Sequence, residues 1–135
     1  MRDKLTKVEG YTIREIMIIA SMIEKETANN SESYQIASVI YNRLYDWGST
    51  PPFLNIDASI VYALDGKTDL TAEDLRIESP YNTYTNTGLT PGAISNPGLF
   101  SLKAALDPAD SNYYFYALDP NSYPREHKFF TNYND

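Results

Sequence analysis

The chain has 135 residues, of which 42% are hydrophobic and 21% charged, and its formal net charge is −7. These values are typical of one globular domain with a single core and exclude a largely disordered chain. The acidic balance, without a basic block, argues against nucleic acid as a partner. No apolar run approaches the length needed to cross a bilayer. Because cysteine is absent, disulfides, thiolate nucleophiles and zinc–thiolate sites are excluded.

The most apolar stretch of the chain predicts a central helix over residues 13–27, after a polar leader or linker over residues 1–10. Thr12 and Glu15 fit a capping box at the start of this helix. Apolar side chains fill most of its faces, so we expect it to be buried. At helical spacing the apolar stripe ends on Glu24, which predicts a carboxylate at the buried end of the helix. Glu26, two residues further along, is given only a supporting or structural role.

Glu24 is the first candidate for catalysis. Burial and the negative end of the helix dipole would both raise the pKa of its carboxyl group. A glutamate that stays partly protonated near neutral pH can act as a general acid. The alternative is that Glu24 is solvated at a frayed helix end or paired with a lysine, since structural ion pairs also perturb pKa values.

Two further helices are predicted in the first half of the chain. The second opens at Ser31 or Ser33, closes at Gly48 and packs against the first as an antiparallel pair. Its buried face consists of Ile36, Ile40, Leu44 and Trp47. A third helix runs from Asp57 to Leu64, with Asp57 as its N-cap.

The second half of the chain predicts a short turn, a loop, a helix and a hairpin. A single helical turn is expected near residues 72–76, behind a capping box of Thr71 and Asp74. Asn96 and Pro97 mark the start of the last helix, whose buried face is predicted to be Leu99, Leu102 and Leu106. Two aromatic strands, residues 113–118 and 128–133, predict an antiparallel hairpin. The expected fold class is α+β, a predominantly helical domain with a C-terminal β-hairpin and a long substrate loop.

That loop, residues 81–97, is uncharged and dense in Asn, Thr and Tyr. Structureless segments of this length are uncommon in compact domains and tend to be functional. Amides pair with hydroxyls, and tyrosine offers a flat apolar face with a polar edge, so a polysaccharide is the expected ligand. The alternative is a self-satisfied Ω-loop that binds nothing.

Six blocks of the sequence, in this order, resemble the catalytic domain of the endolytic murein transglycosylases, the MltG (YceG-like) family, historically also labelled aminodeoxychorismate lyase. The blocks are Ala20-Ser-Met-Ile-Glu24-Lys-Glu26-Thr27, Ala37-Ser-Val-Ile-Tyr-Asn-Arg-Leu44, Leu54-Asn-Ile-Asp57, Ser79-Pro-Tyr-Asn-Thr-Tyr84, Gly88-Leu-Thr-Pro-Gly-Ala-Ile-Ser-Asn-Pro-Gly98 and Ser101-Leu-Lys-Ala-Ala105. The resemblance covers residues 13–133, within a catalytic domain assigned to residues 11–135. The lyase label finds no support, because no lysine and phosphate cradle for pyridoxal phosphate is identifiable.

The resemblance implies an enzyme that cuts nascent peptidoglycan glycan strands between N-acetylmuramic acid and N-acetylglucosamine without water, leaving 1,6-anhydromuramyl ends. It implies an extracytoplasmic protein, anchored by a membrane helix and carrying a LysM-like region, neither of which lies in this sequence. The sequence is therefore interpreted as the catalytic domain of a longer protein. Peptidoglycan strands, and cell-wall synthesis proteins, are the expected partners, and no cofactor or metal is expected.

By the same resemblance, the glutamate at position 24 is the catalytic acid/base. The implied substrate-binding residues are Asn55, Asp57, Tyr81, Asn82, Thr83, Tyr84 and Asn96. Asn55 departs from the family pattern, where relatives often have Gln, and Arg125-Glu126 precede His127 where glycine is common. Two other functions stay open: a glycoside hydrolase that uses the carboxylates of Glu24 and Asp57, and a peptidoglycan-binding module without catalysis.

Overall fold

The computed structural model describes residue 8 and residues 10–27, 30–45, 53–118 and 127–131. These residues form four α-helices, two short 3₁₀ turns and one two-stranded antiparallel sheet, which confirms the α+β class. The elements are α1 (Ile13–Glu26), a 3₁₀ turn (Asn30–Glu32), α2 (Ser33–Tyr45), α3 (Asp57–Ala63), a second 3₁₀ turn (Asp74–Arg76), α4 (Leu99–Leu106), β1 (Phe115–Leu118) and β2 (His127–Phe130). None of the helices in these ranges is long and apolar enough to cross a membrane.

Helix α1 is the centre of the fold. Its capping box is present, with the Thr12 side chain bonded to the Glu15 amide and the Glu15 carboxylate to the Thr12 amide. Six consecutive residues, 18–23, are fully buried, which confirms the predicted central position. The first two turns are only partly covered: Ile13 is 83% and Met17 40% exposed, whereas Ile16 packs against the core. The apolar stripe that led the sequence prediction to Glu24 is therefore only partly the buried face.

Helices α2 and α4 both pack against α1. Ile36 and Ile40 of α2 are fully buried, as predicted, whereas Trp47 and Gly48 lie outside the described residues. The buried hydroxyl of Tyr41 donates to the carbonyl of Ala105 at 2.7 Å and joins α2 to α4.

The predicted burial of α4 is wrong. Leu99 and Leu106 are 64% and 59% exposed, and Leu102 is only partly buried. The buried residues are Ser101, Ala104 and Ala105. Small side chains let two helix backbones approach closely, so α4 turns its small face, not its leucine face, toward α1.

The loop of residues 81–97 contains no helix or strand, as predicted, and it is anchored at both ends. The Thr83 hydroxyl accepts the Ile56 amide at 2.8 Å beside α3. At the other end the Ile94 amide donates to the Ser21 hydroxyl of α1 at 3.0 Å. The loop is therefore hydrogen-bonded to α1 at one end and beside α3 at the other, and these two bonds fix its position.

The predicted hairpin and short turn are both present, but they are shorter than the predicted strands of residues 113–118 and 128–133 and the predicted turn of residues 72–76. Strands β1 and β2 pair antiparallel, with Phe115 opposite Phe130 and Tyr116 opposite Phe129. The connection between them, residues 119–126, and the end of the predicted second strand, residues 132–133, lie outside the described part of the chain. Thr71 and Asp74 exchange backbone and side-chain hydrogen bonds of 3.0 and 3.1 Å, so the predicted capping box is present. The division of the chain at residue 10 stays a prediction.

Candidate active site

Glu26, at the last position of α1, is a partly buried glutamate whose carboxyl group is largely shielded from water. It lies seven residues after Ile19 and four after Met22, both fully buried, so helical spacing carries it onto the same face. Burial is the largest influence on Glu26 and raises its pKa above the ordinary value. The negative charge of Asp57 adds to that rise, and the charges of His127 and Arg43 oppose it.

Tyr116 of β1 holds the Glu26 carboxylate in place. Its hydroxyl donates a hydrogen bond of 2.6 Å to Oε1 of Glu26. Such a bond favours the ionised carboxylate and so limits the rise in the pKa of Glu26. Burial and the neighbouring negative charge raise the pKa of Tyr116 well above its usual value, which keeps the phenol protonated and able to donate.

Glu26 lines an open polar cleft of about 310 Å³. The cleft collects side chains from distant parts of the sequence: α1, α2, the start of α3, the loop and the hairpin. Its walls consist of Glu26, Arg43, Asn55, Asp57, Tyr84, Tyr116, Ala117 and His127. Within the described ranges, no group of three or more His, Asp or Glu side chains is arranged to hold a metal ion.

Asp57 and Tyr84 form the second polar pair of the cleft. The Tyr84 hydroxyl donates to Oδ1 of Asp57, and burial together with this partner raises the pKa of Tyr84. The prediction that Asp57 caps α3 is wrong by one position, because Ile56 is the N-cap and makes no side-chain cap. Asp57 is instead the first residue of the helix, where the positive end of the dipole favours a carboxylate. Its charge faces the cleft.

A buried contact between His127 and Glu32 supports the hairpin side of the cleft. Nδ1 of His127 lies 2.7 Å from Oε2 of Glu32, and both side chains are less than 10% exposed. The other Glu32 oxygen accepts the backbone amide of His127. The fixed imidazole then meets the ring of Tyr116 edge-on, with ring centroids 5.2 Å apart. Glu32 thus positions His127, and His127 packs against the tyrosine that holds Glu26.

Glu24 does not have the environment that the sequence argument gave it. Its side chain is exposed, so the expectation of a buried carboxylate at this position is wrong. Oε1 of Glu24 accepts the Gly98 amide at 2.8 Å and the Ser101 hydroxyl at 3.0 Å. Gly98 is the N-cap of α4 and has no side chain of its own for this purpose. Glu24 therefore caps α4 from across the fold, and Asn96, predicted as the cap, stands two residues too early.

The predicted substrate-binding residues divide into two groups. Asn55, Asp57 and Tyr84 line the cleft. Asn55 has a positive φ of 52°, a backbone conformation that Asn tolerates better than most residues. Asn82 and Thr83 are 0% and 2% exposed, which leaves little of either side chain open to a ligand.

Asn82 and Thr83 stabilise the loop instead. The Asn82 amide donates to the carbonyls of Leu75 and Ile77 at 3.1 and 2.8 Å. Buried amides in loops are usually committed to such backbone bonds. Tyr81 is partly buried beside Tyr62, and Asn96 is exposed. Neither lies among the residues that line the cleft.

A desolvated glutamate in an open polar cleft is an arrangement that acid–base enzymes use. The chain matches the model of the YceG-like family over residues 1–135 and belongs to that family. A relative from Bacillus subtilis (strain 168), named endolytic murein transglycosylase, is 40% identical over 116 residues, or 85% of this chain and 31% of the relative. A relative of the same name from Streptococcus pneumoniae (serotype 2, strain D39) is 36% identical over 119 residues, or 84% of this chain and 21% of the relative.

The fold is also similar to a crystal structure of a YceG-like protein from Listeria monocytogenes. The TM-score is 0.80 at 38% identity, over 96% of this chain and 40% of the other. The chain spans less than a third of the length of the relatives from Bacillus subtilis and Streptococcus pneumoniae.

Sequence reasoning missed Glu26, Tyr116 and the pair of Glu32 and His127. The position of Glu26 below Ile19 and Met22 was readable from helical spacing, but which face of α1 is covered depends on α2, α4 and the hairpin. Tyr116 lies in a run of aromatic residues in which no local pattern marks one as a ligand. Glu32 and His127 are 95 residues apart, and only the folded chain brings them together.

Proposed function

We propose that this domain cleaves peptidoglycan glycan strands internally, as an endolytic lytic transglycosylase, with Glu26 as its general acid and base. The observation that carries the proposal is the desolvated, phenol-bound carboxyl group of Glu26 in a polar cleft. The names of the relatives from Bacillus subtilis and Streptococcus pneumoniae support the substrate class and the reaction.

In the proposed reaction, protonated Glu26 donates its proton to the glycosidic oxygen while the bond to C1 of the muramic acid breaks. The resulting carboxylate takes the proton of the 6-hydroxyl of the same sugar, and the 6-oxygen closes onto C1. The proton balance is restored within one turnover, and no water is consumed. One carboxyl group suffices because the nucleophile belongs to the substrate and is held at a high effective concentration.

Each element of the cleft has a part in this reaction. Tyr116 binds Oε1 of Glu26, and we propose that Oε2 exchanges the proton with the substrate. Burial and Asp57 favour the protonated acid before bond cleavage. Asp57 can also stabilise positive charge that develops at the sugar ring in the transition state.

A hydrolase that uses two carboxylates is the second candidate, favoured by the presence of Asp57 in the same cleft as Glu26. The pair that the sequence suggests, Glu24 with Asp57, has less support, since Glu24 caps α4. Mass spectrometry of glycan strands digested by the domain separates the candidates. A transglycosylase leaves ends that are lighter by one water than those of a hydrolase, and a binding module leaves no new ends.

We further propose that the domain works outside the cytoplasmic membrane as part of a longer, membrane-anchored protein. Its curated relatives are more than three times as long as the matched segment, and their named substrate is the cell wall. Fractionation of cells that produce the full-length protein tests this. Recovery in the soluble cytoplasmic fraction would contradict it.

A further inference from the structure

A second cavity, of about 690 Å³, shares Glu26 with the polar cleft. Its floor is the groove between the end of α1 and one face of α3. The α3 side consists of Ala58, Val61 and Tyr62, at the spacing of a single helix face, and Asp65 lines the cavity just beyond the end of the helix. Asp57, at the start of the same helix, lines the first cleft. Helix α3 therefore borders both concave regions, and Glu26 belongs to both.

This arrangement suits a chain-like ligand that is cut in its interior. An internal bond can reach the acid only if the chain on both sides of that bond has a place to lie. Seven residues of α-helix span about 10 Å, so α3 forms one continuous wall from the polar cleft to the second cavity. A glycan strand bound along this wall would pass Glu26, with sugars on both sides of that residue.

Tyr62 gives the second cavity an exposed aromatic surface. Its side chain is 46% exposed while it lines the cavity. Its ring lies against that of Tyr81, with centroids 5.0 Å apart and planes inclined at 41°. The hydroxyl of Tyr81 lies close to the backbone of Gly92, where an added Cβ would be 3.1 Å from it. A tyrosine ring held in this way contacts a ligand with little loss of side-chain entropy.

The charges around the cavity favour a neutral ligand over an anion. Among the described residues that line it, Lys25 is opposed by the acidic side chains Asp65 and Glu26, so this lining has no excess of positive charge to attract an anion. An aromatic face with hydroxyl and carboxylate acceptors near it matches a sugar ring, which has apolar faces and a polar edge.

We propose that this cavity is a glycan subsite, with Tyr62 as the platform for a sugar on one side of the bond that is cut. The inference rests on the proposed function, since it takes Glu26 as the point of cleavage. Tyr81 is a positioning residue that fixes the platform.

The test is a binding titration with uncrosslinked peptidoglycan oligosaccharides of defined length. The protein is the full 135-residue chain carrying Glu26→Gln, so that the ligand is not consumed. We expect Tyr62→Ala to weaken binding by about tenfold, equivalent to about 1.4 kcal/mol. Tyr62→Phe should bind within about twofold of the parent, because the ring face and not the hydroxyl makes the contact.

The matched control is Phe100→Ala, since Phe100 is 50% exposed and does not line the cavity. Thermal unfolding verifies that each variant is folded.

The outcomes separate this inference from the proposed function. Parent-like binding by a folded Tyr62→Ala variant would overturn the subsite and leave the proposed function standing. If Phe100→Ala weakens binding as much as Tyr62→Ala does, the subsite is likewise overturned and the proposed function still stands. If the parent binds no oligosaccharide and the enzyme with Glu26 intact makes no new chain ends, both are overturned. As a second measurement, Tyr62→Ala with Glu26 intact should change the lengths of the products, because one side of the strand is no longer held in register.

Discussion

At the scale of single residues, two neighbours move the pKa of Glu26 in opposite directions. The hydrogen bond from Tyr116 lowers it, and the negative charge of Asp57 raises it. A general acid must be protonated, so activity should fall as pH rises through the pKa of Glu26. The alkaline limb of the pH profile therefore reports this pKa.

Tyr116→Phe should move that limb to higher pH. Removing the hydroxyl deletes the bond that stabilises the ionised carboxylate, so Glu26 keeps its proton to higher pH. The measurement is the pH profile of kcat/KM on glycan strands. Tyr113→Phe is the control, because Tyr113 packs against Phe129 and does not line the cleft. An unmoved limb in Tyr116→Phe would show that another group titrates.

Asp57→Asn should move the same limb to lower pH. The amide keeps an acceptor for Tyr84 but removes the negative charge that favours protonated Glu26. Asp69→Asn, at an exposed position outside the cleft, should leave the profile unchanged. A complete loss of activity in Asp57→Asn, with hydrolysed ends in the parent's products, would instead support the two-carboxylate hydrolase.

At the scale of elements, Glu24 is a structural residue for α4. Glu24→Ala should lower the free energy of unfolding by about 0.5–2 kcal/mol, the usual effect of losing a helix cap. Glu24→Gln keeps an acceptor oxygen for the Gly98 amide and should lose less. Chemical denaturation measures both. A Glu24→Ala variant as stable as the parent would contradict the capping role.

The loop of residues 81–97 is anchored to α3 through one hydroxyl. Thr83→Val keeps the shape of the side chain and removes the acceptor of the buried Ile56 amide, which should destabilise the domain by about 1–3 kcal/mol. The matched control is Thr87→Val at an exposed position of the same loop. Equal stabilities of the two variants in denaturant titrations would show that the anchor contributes nothing.

These elements also show what a sequence can predict. The start of α1 and the pairing of the hairpin follow from local capping and aromatic patterns, and both are present. The covered face of α4 does not follow from local pattern: leucine spacing indicated one face, and the small residues Ser101, Ala104 and Ala105 form the other, which the fold buries. For the same reason, local pattern could not decide whether Glu24 or Glu26 is the buried glutamate of α1. Local periodicity allowed either to be buried, and the packing of α2, α4 and the hairpin decided between them.

At the scale of the whole molecule, the cleft is assembled from the entire length of the described chain. Glu26 comes from the end of α1, Asp57 from the start of α3, Tyr84 from the loop, and Tyr116 and His127 from the two strands. No two of these elements are adjacent in sequence apart from the strands of the hairpin. The fold thus brings Glu26, whose carboxyl pKa is raised by burial, to the place where the loop, α3 and the hairpin meet.

The most direct test of the central claim compares Glu26→Gln with Glu24→Gln on uncrosslinked glycan strands, with new chain ends counted by mass spectrometry. The two positions are two residues apart on one helix, and each substitution replaces a glutamate side chain by an amide of the same size and shape, so the pair is closely matched. We expect Glu26→Gln to form anhydro ends at least about 100-fold more slowly than the parent, because general acid–base groups contribute on the order of 10²–10⁴ in rate. Glu24→Gln should stay near the parent rate. An active Glu26→Gln variant beside an inactive, folded Glu24→Gln variant would contradict the account.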